Sequence, residues 1–156
     1  MSKGQIIMND LFIALSLFLV VIVFTVLLFN NYSVHLNEEI ETNDMLITAF
    51  QISDVLVSNS GYPSKWEENI SSTKNIGLAT KDRIISKDKL NNFTNLDYDT
   101  SRGLLKLYYD FYINLKDLDN NTIASYGYIN GEKVVNVKRE VFYEGEEAIL
   151  EFAVSK

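Results

Sequence analysis

The sequence predicts an α+β protein in which a long N-terminal helix, partly membrane-spanning, packs on a four-stranded antiparallel β-meander. Three observations predict it. Residues 11–29 form an uncharged apolar run, no Pro or Gly interrupts the chain between Gln5 and Ser60, and from Tyr108 the hydrophobic period changes to two.

The apolar run reads LFIALSLFLVVIVFTVLLF, 19 residues broken in polarity only by Ser16 and Thr25. At about 1.5 Å per residue it spans roughly 28 Å, the thickness of a hydrocarbon core. Both hydroxyls can bond back to carbonyls of the preceding turn, so neither opposes insertion. A cleaved secretory signal has a shorter apolar region followed by small residues, whereas Asn30, Asn31, Tyr32 and Ser33 follow here. Lys3 precedes the run and Glu38, Glu39 and Glu41 follow it, which places the N-terminus in the cytoplasm and the bulk of the chain outside.

The helix is expected to continue past the bilayer to Val57. Leu36, Ile40, Leu46, Ile47, Phe50 and Val57 gather on one side of it, and Met45, Ala49, Ile52 and Leu56 on the other. Two apolar faces require two covering layers. Either one face packs under the globular domain while the other meets neighbouring subunits, or both are buried in one larger intramolecular core.

Turn formers and the single proline at Ser58 to Pro63 stop the helix. The region 64–107 reads as short helices and loops, with one helix capped by Ser86 and carrying Leu90 and Phe93, and a second piece ending near Leu104, Leu105 and Leu107. Tyr109, Phe111, Ile113 and Leu115 then alternate with polar residues as a first strand. A second runs from Thr122 to about Ile129, Asn130 and Gly131 suit a type I′ hairpin, Val135, Val137 and Val141 line a third, and Ala148, Leu150, Phe152 and Val154 a fourth. The solvent-averse face of this sheet needs a helix, and the long one is available.

Composition removes several function classes. The 156 residues carry a net charge of -7 with pI near 4.7 and no cysteine. An acidic surface repels a phosphate backbone, so nucleic acid is not an expected partner. Thiolate metal sites, disulfides and cysteine nucleophiles are excluded together. The single histidine, His35, has no second histidine to share a metal with; it reads as a solvated or interfacial helix residue rather than a ligand or general base. Asp117, Asp119 and Asn121 begin like a calcium loop, but Thr122 stands where its glycine belongs and Tyr128 where its bidentate glutamate belongs, so a hairpin turn is the better reading. Trp66 reads as a core anchor, with carbohydrate stacking the alternative. Without a phosphate loop, a nucleophile elbow or a metal-spaced cluster, no enzyme and no cofactor are expected. Asn31, Asn69, Asn92 and Asn120 lie in N-x-S/T; Asn69, Asn92 and Asn120 are candidate glycosylation sites, and Asn31 is too near the membrane.

Lys3, Gly4 and Gln5 directly preceding the apolar helix resemble the class III signal peptide of archaeal type IV pilin-like proteins. Gly61-Tyr62-Pro63 with Trp66, Ile76-Gly77-Leu78-Ala79, Leu90 and Tyr109-Asp110-Phe111 are similar to a pattern recurring in small members of that family. The resemblance implies cleavage by a prepilin peptidase between Gly4 and Gln5, glycine keeping the chain uncrowded at the scissile bond. Residues 1–4 are then the signal peptide, 5–57 the long helix with its membrane part at about 11–29, and 58–156 the extracellular pilin-like domain. It further implies a structural pilin or pseudopilin, with the membrane, the peptidase and like subunits as partners, in a surface filament or secretion pseudopilus. The family's glutamate at the fifth mature position is Asn9 here, and the acid is Asp10. Asp10 either takes over pairing with a neighbour's N-terminal amine or favours the helix N-terminus through the macrodipole. The alternative function, from a different class, is a non-polymerising single-pass anchored extracellular binding module.

Overall fold

The structure, a computed structural model, describes residues 3–156; for residues before Met8, and for Val34, only the helical backbone is described. The chain divides into two units, Met1–Glu41 and Thr42–Lys156. Helix α1 (Lys3–Ser58) supplies all of the described part of the first unit and opens the second. Within it, Met8–Ser58 is the one described helix long and apolar enough to cross a membrane. The hydroxyls of Ser16 and Thr25 donate back to the Phe12 and Val21 carbonyls at 2.8 Å each, as their position in an apolar helix demands.

The second unit is α+β. After α1 come two short 3-10 turns (Trp66–Glu68 and Ile70–Ser72), a hairpin of β1 (Ala79–Lys81) and β2 (Ile84–Ile85), then α2 (Lys87–Thr94) and α3 (Tyr98–Leu104). Ser86 caps α2 by accepting from the Lys89 amide, and Asp97 caps α3 by accepting from that of Thr100. Four longer strands follow: β3 (Asp110–Asp117), β4 (Thr122–Gly127), β5 (Val134–Tyr143) and β6 (Glu146–Ser155).

The sheet is not the expected four-stranded antiparallel meander. It has six strands in the order β1-β2-β5-β6-β3-β4, and β2 joins β5 in parallel. β3 with β4 and β5 with β6 form two hairpins that meet through antiparallel pairing of β3 with β6. Burial explains the order. Phe111, Ile113 and Leu115 of β3 and Leu150, Phe152 and Val154 of β6 are each at most 2 % exposed, whereas β4 holds no buried residue and belongs at an edge. Asn130 and Gly131 consequently make no hairpin between β4 and β5. The segment carries the chain from one edge across two strands, the Asn130 amide donating to Ser155 Oγ at 3.1 Å. Gly131 lacks the positive φ that a type I′ turn requires; a Cβ there would lie 2.4 Å from the Lys156 backbone.

One face of the sheet carries the core. Met45, Ala49, Leu56 and Val57 of α1 join Phe93 of α2, Trp66 and the inward residues of β3, β5 and β6 in a single apolar cluster. Each large side chain buried there, such as Met45, Leu56 or Phe93, contributes about 1.5–3 kcal/mol. The β1–β2 hairpin, absent from the sequence-based expectation, satisfies the end of α1: the amides of Leu78 and Arg83 donate to the Leu56 and Val57 carbonyls at 2.9 and 2.8 Å. These are among the last carbonyls of a helix, which have no partner within it.

Candidate functional site

The α1 apolar surface is the most extensive chemical feature of the chain. From Leu11 through Phe29 every large hydrophobic side chain is exposed, Ile22 least at 42 % and Phe29 most at 72 %. In water such a surface is strongly unfavourable at roughly 25 cal/mol per Å², and lipid or other apolar helices are the media that relieve it. Leu36 and Ile40, later in the same unit, are also exposed.

In the Thr42–Lys156 unit the two faces of α1 separate as their spacing requires. Met45, Ala49 and Leu56 are fully buried and Ile52 is half-buried, while Leu46, Ile47 and Phe50 stay exposed at 37, 55 and 46 %. Val57, expected with the exposed group, is instead 3 % exposed, because the β1–β2 hairpin wraps the last turn. The Arg139 guanidinium lies 5.1 Å from the Phe50 ring centroid and donates to the Phe50 carbonyl at 3.1 Å, covering one side of that ring.

Lys3, Gly4 and Gln5 lie in the first turn of α1, and their side chains, like Met1 and Ser2, fall outside the described residues. The Gly4–Gln5 bond is therefore in helical backbone, at a helix start where four amides have no intrahelical partner and unwinding costs least. Asn9 and Asp10 are exposed, and among the described residues no ion pair or hydrogen bond reaches the Asp10 carboxylate. His35 is exposed, with Nδ1 3.8 Å from Glu38. Among the described residues no group of three His, Cys, Asp or Glu could hold a metal ion.

The remaining sequence candidates are scattered. Asp117 accepts from the Asn121 amide at 2.8 Å and its side chain at 2.9 Å, which holds the carboxyl below its usual range and closes the segment as a turn. Trp66 is fully buried, with Nε1 donating to the Gly77 carbonyl at 2.9 Å, so no ring face is open for stacking a sugar. Asn69 and Asn120 are exposed. Asn92 sits within α2, half-buried, its amide committed to the Asp88 carbonyl at 2.9 Å.

Two features had no sequence signal. Lys89, on a polar-looking helix, is 4 % exposed, and burial pushes its ammonium below its ordinary pKa while Glu67 opposes the shift. On the sheet face away from the core, Glu151 is held by Lys138 at 2.8 Å and Lys116 at 3.0 Å, which lower its pKa. Comparison with protein-family models, with curated proteins and with solved structures finds no match for this chain.

Proposed function

We propose that the chain is a structural pilin or pseudopilin-like subunit of a type IV pilus-like surface filament or secretion pseudopilus. A prepilin peptidase cuts between Gly4 and Gln5 on the cytoplasmic side, α1 stays on the mature protein as its membrane anchor, and the Thr42–Lys156 unit stands outside the cell. Like or related subunits then cover the exposed apolar side of α1. The observation that carries this reading is the pair of faces within the second unit: Met45, Ala49 and Leu56 are fully satisfied by the chain's own core, yet Ile47 and Phe50 are left outside it. A lone anchor needs apolar surface only at bilayer depth, whereas an assembling helix needs it beyond. Exposed Asn69 and Asn120 suit a glycosylated external surface better than the engaged Asn92.

N-terminal sequencing of the mature membrane protein tests the processing step. The expected chain begins at Gln5, and begins at Met1 when the prepilin peptidase is lost. A chain beginning at Met1 in the presence of the peptidase ends the reading. Site-specific cross-linking through Ile22, Ile40 and Ile47 tests assembly: intermolecular products at all three depths are expected, and their absence at all three leaves the single-pass, non-polymerising binding module.

A further inference from the structure

The open sheet face carries, at the end where the two hairpins turn, an apolar patch that nothing in the fold covers. Phe142 and Leu118 are 45 and 65 % exposed, and with Ile149 they line a cleft of about 230 Å³. A wider neighbouring cleft of about 620 Å³ shares Leu118, Phe142 and Glu147 and adds Asp117, Asp119 and Glu146. The β5–β6 register places Glu140 opposite Ile149 and Phe142 opposite Glu147. Apolar and acidic side chains therefore alternate on this surface like the squares of a chequerboard, about 5 Å apart across the strands.

Of these carboxylates Asp117 closes its own turn, and three others are not used by the fold. Among the described residues no hydrogen bond or ion pair reaches the side chains of Asp119, Glu140 or Glu147, in contrast to Glu151, four residues beyond Glu147 along β6, which two lysines neutralise. Arg83 is the only cation lining the narrower cleft. It sits on the β1–β2 turn at φ 59, backbone that an arginine adopts at a cost, and its amide and carbonyl are both committed, to Val57 and Phe142.

We infer that this surface docks a partner polypeptide segment in which apolar side chains alternate with lysine or arginine. The apolar side chains cover Phe142, Ile149 and Leu118, and the cations meet Glu140, Glu147 and Asp119. Charge selects this occupant: a second copy of the chain, itself carrying -7, meets like charge here, and an anionic lipid surface does too. The sheet face concerned is opposite the one on which α1 packs, so the inference stands apart from how α1 assembles.

The test uses the full chain in neutral detergent micelles, with protein-free micelles as the blank. A short peptide alternating lysine and leucine is titrated while backbone amide shifts are followed. Saturable binding with shifts confined to residues 117–119 and 140–149 is expected. Affinity falls by about tenfold or more in the double variant Asp119→Lys, Glu147→Lys and in Leu118→Ser, whose site on an exposed turn leaves folding intact. The double variant Asp99→Lys, Glu132→Lys changes net charge equally and binds as the natural chain does. Equal loss in that control, unchanged binding in Leu118→Ser, or equally tight binding of a lysine-serine peptide overturns the inference.

Discussion

The ammonium of Lys89 donates to the Ser60 carbonyl at 2.6 Å and lies 3.4 Å from that of Ala79, tying α2 to the chain just beyond the end of α1 and to the edge strand β1. A buried cation is tolerated only with such partners. Lys89→Met leaves both carbonyls without their donor and costs about 1–3 kcal/mol in denaturant unfolding. The pH dependence has a definite sign. Because the folded pKa is lowered, the unfolded chain binds the proton more tightly, so the natural protein gains stability relative to Lys89→Met as pH rises from the lowered value toward 10.5.

The two sides of α1 respond differently to truncation. Leu56→Ala, at a fully buried position, destabilises the second unit by about 2–5 kcal/mol. Ile47→Ser changes its unfolding midpoint little, since the side chain is 55 % exposed, but weakens self-association as read by cross-linking in membranes.

Gly131→Ala tests the strand crossing. In a type I′ turn the substitution costs about 1 kcal/mol through φ alone. Against the Lys156 backbone at 2.4 Å the loop must move, and the expected loss is about 2–3 kcal/mol, with amide exchange accelerated at Lys133 and Lys156, whose backbones bond each other at 3.1 and 3.2 Å.

Glu151→Gln removes the carboxylate shared by Lys116 and Lys138. The folded pKa is depressed, so its stabilisation is complete above the usual glutamate value and disappears as pH falls through the folded one. The variant is less stable by about 0.5–1 kcal/mol at neutral pH and equals the natural protein in strong acid, as thermal unfolding at both pH values will read.

Tyr98 ionises late. Burial pushes its pKa up to about 12, although the Phe111 amide, which donates to its oxygen at 2.8 Å, works the other way. An ultraviolet tyrosine titration of Tyr98→Phe therefore lacks a step near pH 12 that the natural chain shows. The folded state loses stability between the unfolded value, about 10, and that pH, because only the unfolded chain releases the proton readily there.

Helix α1, the caps at Ser86 and the four strands of β3 to β6 are readable from period, capping and turn chemistry, because each is specified by residues close in sequence. Strand order is not local. Asn130-Gly131 has the composition of a hairpin, and only the demand that Phe111 and Phe152 share one core sends the chain across the sheet instead. The β1–β2 hairpin is too short for its alternation to register, with Ile84 exposed and Ile85 buried as its whole pattern. Of the candidate surface, the opposed faces at Met45 and Ile47 follow from helical spacing alone. The chequerboard at Phe142 and Glu147 needs a pairing register that no single strand contains.

The placement of β6 between β5 and β3 has a consequence for how the domain matures. β3 finds its inner neighbour only after the chain has run through β4, the crossing segment and β5, so the central seam closes late, between residues as far apart as Asp110 and Ser155. Until then Phe111, Ile113 and Leu115 lack the β6 side chains that flank them in the finished core. A polypeptide released from its N-terminal end onward thus stays soft and incomplete, and stiffens as a unit once the final strand arrives.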